Sequence, residues 1–452
     1  MTTEKELLDL CKYAVDAAKA AGATDVEAHA QAESNLESEI ELAEIAIVNQ
    51  SVSTGIAIRV FMGKKMGCAF TNIATKDALD EAVELAVNAA KATTEDPDFV
   101  SLSTPGSYPD LDSHWSEDVV KRDPGEVVAA TGGLIEKASA AEEGLMVIGG
   151  GSAAAWQVSA YANSNGVSHS ERGTASWIVG VAVAQIEGGM TPMTYAYDIR
   201  RDLDVDVDKT VNQIARTIRL CKHTAEGKTG KHTVILHPFA LSQLMQYTLM
   251  QAVRGDNVAR GKSKIADKIG EQIASEIFTL VDDGANPKGL NASEADDEGV
   301  PRRRTPIIEK GVLRSFLWDT YWANKMGVKS TGNAGRDMRQ GLLEIRPTNL
   351  VVEPGKREID DIISEIDHGY YIENVQGAHS SNPESGDFSI VGNPAFLVEK
   401  GELVGAVHGL MISGNIFDVL KNVVEVAKTP IILTNWIAPE IVAKDVDVIA
   451  RE

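Results

Sequence analysis

The feature that most constrains this chain is an order of hydrophobic periodicities that occurs twice. Near the start, Leu7, Leu8, Cys11, Ala14, Val15 and Ala18 fall on one helical face. A capping box precedes them: Thr3 can accept from the amide of Glu6, and Glu6 can reach back to the amide of Thr3. Gly22 supplies the stop. The chain then alternates every second residue. In "GIAIRVFMGKKMGCAF", Ile56, Ile58 and Val60 share one side of a strand that turns near Gly63 and returns. A second helix follows Thr75, with Leu79, Ala82, Val83, Ala86, Val87 and Ala90 on one face. The order then recurs: a helix over 124–141, long strands over 144–200 with a turn at "NSNG" (163–166), and a helix over 205–222. This pattern predicts a duplicated, layered α+β unit.

Punctuation sets the boundaries. "SLSTPGSYPDLDSHWSED" (101–118), rich in Ser, Pro and Asp, predicts a linker between the two halves. A change of texture near "AEGKTGKHTV" (225–234) divides an N-terminal domain, 1–225, from a C-terminal domain, 226–452. The second domain is expected to open with one helix (238–253) and continue as short strands broken by Gly and Asn. The expected fold class is therefore α+β: a duplicated helix/antiparallel-sheet N-terminal domain followed by a strand-rich C-terminal domain.

Charge and cysteine content exclude several functions. With 66 acidic and 43 basic residues the formal net charge is -23, and a surface that negative repels phosphate backbones. Nucleic acid is not an expected partner. Cys11, Cys68 and Cys221 are few, odd in number and far apart, so neither a disulfide framework nor a zinc knuckle is expected. "MTTEKELLDL" lacks the pattern of a signal peptide, and no apolar run is long enough to span a membrane. The expected location is the cytoplasm.

The motifs that could carry chemistry are mostly near-misses. "GDNVARGKS" has five residues between Gly255 and Gly261 where a phosphate loop needs four, and it follows a helix rather than a strand. It reads as a charged surface loop. His232 and His237 flank "TVIL" on a strand, and their odd spacing points them to opposite faces. The remaining histidines, among them His169 and His379, are scattered, which leaves only a metal site assembled from distant residues. Asp296, Asp297 and Glu298, like Asp282 and Asp283, lack the alternating ligands of a calcium loop and read as solvated turns. "GAHSSNPESGDFS" gathers His379, Ser380, Asn382, Ser385 and Asp387, but no Gly-x-Ser-x-Gly elbow supports a serine nucleophile there.

The serial order of "ARGKSKIADKIGEQI", "VDDGANPKGLNASEADDEGVPRRRTPIIEKGVLRSFLWDT", "STGNAGR" and "GYYIENVQGAHSSNPESGDFSIVGN", with "STGIAIRVFMGKKMGCAFTN" earlier, resembles the TldD/PmbA family of zinc-peptidase-related proteins over nearly the whole chain. The resemblance implies a site helix that in the TldD branch carries His-Glu-x-x-x-His, with a further Cys near the C-terminus. Aligned on Gly255 and Asp256, Gln246 and Gln251 stand where the two histidines would be, and Tyr247 where the glutamate would be. The tail "TPIILTNWIAPEIVAKDVDVIARE" holds no Cys. This departure matches the PmbA (TldE) branch and implies no metal or other cofactor in this chain, with zinc only in a TldD-type partner. A neutral amide is a poor zinc ligand, and a phenol is a weak base for activating water at neutral pH.

The resemblance thus implies a partner subunit of a cytoplasmic protease acting on unfolded or leader-like peptides, assembled with a TldD-type paralogue or as a homodimer. His379, Ser380, Asn382 and Ser385 are the expected substrate-lining residues. Two other readings stay open: a self-sufficient hydrolase using the 376–389 loop, and a non-enzymatic homo-oligomeric peptide-binding protein.

Overall fold

The computed structural model describes residues 3–111 and 114–450. The N-terminal part is one antiparallel sheet covered by helices. Helix α1 (Glu4–Ala20) begins at the expected capping box: Glu6 N donates to Thr3 Oγ1 at 3.2 Å and Thr3 N to Glu6 Oε2 at 2.8 Å. It ends where Gly22 turns left-handed, at φ 94°. Strands β1 (Asp25–Glu41), β2 (Glu44–Met62) and β3 (Lys65–Thr71) follow, then α2 (Lys76–Ala92). A short helix α3 (Glu117–Lys121) precedes the second round: α4 (Pro124–Ala141), β4 (Leu145–Asn163), β5 (Ser168–Ile186), β6 (Gly189–Met190), β7 (Thr194–Arg200) and α5 (Val207–Cys221).

The two rounds do not fold apart. The sheet runs β3-β2-β1-β4-β5, with β6 and β7 both on β5, so β1 and β4 join the halves along one continuous ladder. Period two decides what each face meets. Val26, Ala28 and Ala30 of β1 and Trp156, Val158 and Ala160 of β4 pack with Leu7, Cys11, Leu79 and Val83 of α1 and α2. Leu134, Ile178, Ile214 and Ile218 form the matching core under α4 and α5. The alternate residues, Glu27 and His29 on β1 and Tyr161 and Asn163 on β4, are buried as well. Their face of the sheet is covered by the C-terminal part, from which Arg336 reaches Glu27, and by the 101–111 segment, from which Ser103 reaches Asn163.

The C-terminal part is strand-rich. Strand β8 (Gly230–Leu236) lies inside a nine-stranded sheet, parallel to His368–Ile372 and antiparallel to Ile441–Ile449. Strand β9 (Leu280–Asp283) lies in a second sheet, between Arg304–Glu309 and Leu350–Val352. One extended apolar core, including Leu244, Phe278, Tyr370 and Trp436, lies between these elements. Among the described residues no helix is long and apolar enough to cross a membrane.

Two expectations are corrected here, and the segment expected as a linker makes contacts of its own. The linker is a strap that fastens the two parts: Ser103 Oγ donates to Glu298 O, Asn163 Nδ2 donates to Ser103 O at 3.0 Å, and Tyr108 Oη donates to Gly299 O at 3.0 Å. Its residues 112 and 113 lie outside the described set. The helix expected over 238–253 is two helices, α6 (Pro238–Gln246) and α7 (Leu249–Ala252). The "GDNVARGKS" stretch is not all loop, because Gly255–Ala259 form the short helix α8.

Candidate functional site

The site helix is aimed by its N-terminus. His237 caps α6, its Nδ1 accepting from Phe239 N at 3.2 Å, and Pro238 fills the first helical position. Burial, with Arg216 nearby, pushes the His237 pKa down to about 3, so the ring is a neutral structural cap. Ala240, Leu241, Leu244 and Met245 face the core. Thr248, fully buried, then sends its hydroxyl back to Leu244 O at 2.6 Å, and its backbone leaves the helical region at φ -127°, ψ -91°. The chain restarts as α7.

This break matters for Gln246 and Gln251. Five residues on a straight helix separate two side chains by about 140°. Across the break the Gln251 side chain folds back on the chain, its Nε2 donating to the backbone carbonyl of Gln246 at 3.1 Å. Tyr247 projects from the break, 38% exposed. Behind it the backbone is knotted. Asp256 holds Arg254 and Arg260, each at 3.1 Å, and Asn257 Nδ2 donates to Gln251 O at 2.8 Å.

The 376–389 loop approaches from the edge of the nine-stranded sheet, whose terminal strand is Val375–Gln376. Gly377, left-handed at φ 85°, turns the chain into the single 3-10 turn Ala378–Ser380. This places the His379 ring against that of Tyr247, edge to face, with centroids 6.5 Å apart. His379 and Ser380 are exposed. Asn382 and Ser385 are occupied otherwise. Asn382 Oδ1 accepts from Glu384 N at 3.0 Å and Ser385 N at 3.1 Å, closing an Asx turn. Ser385 Oγ donates to Asp387 Oδ2 at 2.6 Å, and Asn415 Nδ2 braces the same carboxylate at 2.7 Å. The structure therefore brings His379 to Tyr247 and spends Asn382 and Ser385 on shaping the loop. Among the described residues the His379 ring is hydrogen-bonded to none of Ser380, Ser385 and Asp387, so no nucleophile relay is assembled.

The donor set does not fit zinc. Gln246, Tyr247 and Gln251 offer two neutral amide oxygens and a phenol, poor donors to zinc beside imidazole, thiolate and carboxylate.

A second polar constellation escaped the sequence reading. Asp282, Asp296 and Glu298, expected in solvated turns, are 2%, 4% and 2% exposed. Asp296 accepts from the amides of Glu298, Val300 and Ala334 at 2.9–3.0 Å. Asp282 accepts from Thr348 N and Asn333 Nδ2, each at 2.6 Å. Glu298 Oε1 lies 3.4 Å from Arg59 Nη2, and Arg59 Nε lies 2.8 Å from Glu27. These carboxylates are tolerated in the interior because donors surround them. The one signal in the sequence was the buried alternate face of β1 and β2, where Glu27 and Arg59 interrupt apolar neighbours.

Comparison with known proteins places this geometry. Family models described as PmbA/TldA metallopeptidase domain 1, central domain and C-terminal domain match residues 26–90, 74–221 and 229–450. An uncharacterised protein of Methanocaldococcus jannaschii is 31% identical over 82% of this chain and 84% of its own length. A metalloprotease PmbA homologue of Haemophilus influenzae is 26% identical over 94% and 92%. The crystal structure of TldE from Thermococcus kodakarensis superposes with a TM-score of 0.92 at 32% identity, covering 98% of this chain and 99% of that one.

Proposed function

Because this chain belongs to the PmbA/TldD metallopeptidase family, we propose that it is the zinc-less subunit of a cytoplasmic metalloprotease, working beside a TldD-type paralogue on unfolded or leader-like peptides. The observation that carries this reading is the site helix. Across its break the Gln251 side chain reaches the backbone of Gln246, and both positions hold glutamine where the resemblance expects histidine. The scaffold of a metal-binding helix is retained and its ligands are absent.

The same surface suits an extended substrate. A peptide added to the free edge at Val375–Gln376 would gain main-chain hydrogen bonds regardless of its sequence. It would then run past the exposed rings of His379 and Tyr247. Ser380 would line that path, with Asn382 and Ser385 holding the loop in shape. Zinc and the water it activates would belong to the partner.

The test is a reconstitution. The purified chain alone should not cleave a flexible peptide. Mixed with its TldD-type paralogue it should form a heteromer by light scattering and cleave in a chelator-sensitive manner. Robust chelator-sensitive cleavage by the chain alone would overturn the reading.

A further inference from the structure

The site helix is not where this chain's metal-ligating side chains converge. Among the described residues one group of three meets, and it lies between the two parts of the molecule: His169, Glu171 and Glu294, whose ligand atoms all lie within 4.8 Å of one another. His169 and Glu171 sit two apart on β5, opposite Tyr161 and Ser159 of β4, so they share a face. That is the face the C-terminal part covers. Glu294 comes from the segment after β9, and its amide donates to Glu171 Oε2 at 2.5 Å. The strap supplies the third wall. Leu111 N donates to Glu294 Oε1 at 3.2 Å, and the Tyr108 ring stacks on His169 with centroids 3.9 Å apart.

The imidazole is the informative member. The His169 side chain is 11% exposed, and its Nε2 is buried and makes no hydrogen bond. That nitrogen stands 3.3 Å from Glu294 Oε2. A buried imidazole nitrogen close to a carboxylate oxygen but not hydrogen-bonded to it is a desolvated polar atom that a cation bound by both would satisfy. Nor is Glu171 neutralised by a basic side chain, since among the described residues it makes no ion pair. The nearby Arg201 and Arg302 are directed at neutral acceptors, the carbonyls of Leu290 and Gly332 among them. A cavity of about 800 Å³, lined by Glu171 and Glu294, gives an ion and its remaining waters a way in.

We propose that His169, Glu171 and Glu294 bind one divalent transition-metal ion of the Mn²⁺ or Zn²⁺ type, which staples the C-terminal part and the strap to the N-terminal sheet. Bonds of roughly 2.0–2.2 Å place adjacent ligand atoms about 2.8–3.6 Å apart and opposite ones about 4–4.4 Å, so the His169–Glu294 pair at 3.3 Å already fits and the wider separations must close by about 1 Å or less. One imidazole and two carboxylates suit such ions and leave positions for water. Two carboxylates and a dication are neutral overall, which suits a partly buried site. The ion is independent of the zinc proposed for the partner subunit, and it departs from the expectation that this chain carries no metal.

The experiment uses the full chain stripped with EDTA and titrated with Co²⁺, followed by visible absorption and calorimetry. One equivalent should bind. His169→Ala and Glu294→Gln should each weaken binding at least tenfold, and Gln246→Ala should leave it unchanged. Absence of saturable binding, or binding indifferent to His169→Ala, overturns the proposal. Should the variants fail to fold, amide exchange on the wild-type chain decides. Co²⁺ must slow exchange around residues 108–111 and 290–296, and unchanged exchange there is equally fatal.

Discussion

Glu27 of β1 and Arg336 of the C-terminal part form an ion pair 2.5 Å long in which each side chain is 1% exposed. The two residues are 309 positions apart, so the pair exists only once sheet and strand-rich part have closed on one another. Arg59 and the Tyr161 hydroxyl reach the same carboxylate at 2.8 and 2.7 Å. Burial alone would raise the Glu27 pKa. Arg336, Arg59 and Tyr161 overcome it and hold the group at about 2.

Removing that charge strands the buried Arg336 guanidinium and leaves Arg59 only its longer contact with Glu298. Glu27→Gln is expected to cost about 3 kcal/mol or more in urea unfolding. The pH dependence gives a second readout. A carboxyl held below its ordinary value stabilises the fold above about pH 4.5, and that contribution is lost as pH falls toward 2. Wild-type Tm should therefore fall more steeply than that of Glu27→Gln between pH 4.5 and 2. Parallel curves would show that Glu27 does not carry this charge.

Asp319 predicts the opposite slope. It caps the helix Thr320–Met326 through Trp322 N at 2.8 Å. Burial, with Glu298 and Asp256 adding repulsion, pushes its pKa up to about 7. A carboxyl whose folded pKa is raised gives stability that is complete below about pH 4 and lost as pH rises through 7. Asp319→Asn keeps a good cap and cannot ionise. Its Tm should decline less than that of wild type between pH 4 and 8; an unchanged decline would assign the slope to other groups.

How much of this was written locally in the chain differs by element. The faces of α1 and α2 follow from 3.6-residue spacing, and the Thr3–Glu6 box marks the first helix start to the residue. The break at Thr248 did not show, because Leu244, Met245, Leu249 and Met250 stay apolar at helical spacing on both sides of it. At the break the Thr248 hydroxyl bonds the Leu244 carbonyl. The burial of Asp296 and Glu298 was equally silent. Glu298 meets Arg59 across 239 positions of sequence, and nothing near either residue announces the other. His169 and Glu294 were invisible as a pair for the same reason. Fold class is a matter of period, which is local, whereas these sites are matters of closure between distant segments.

Gly255 follows α7 at the end of the site region, and a Cβ there would overlap the buried Trp318 ring. Its amide also donates to Leu317 O at 2.8 Å. Gly255→Ala must push the indole or the Leu317 segment aside, at a cost of about 1–3 kcal/mol. Differential scanning calorimetry should show the loss, and an unaltered Tm would mean that Trp318 has room to move.

The last prediction concerns what the broken helix can still hold. If its geometry is that of a metal-binding helix without ligands, restoring them should restore affinity. Gln246→His with Gln251→His places one imidazole on each side of the break, where the Gln251 side chain already touches the backbone of residue 246. Imidazole is a good zinc donor where a neutral amide is not. The pair should be built in a His169→Ala background, so that the site on β5 does not compete. Saturable Zn²⁺ binding by calorimetry is expected from the double substitution and not from either alone, since one imidazole holds zinc weakly. Failure of the double variant to bind, with its fold intact by circular dichroism, would mean that positions 246 and 251 do not aim at a common point, and the likeness of this helix to a zinc helix would be one of sequence order only.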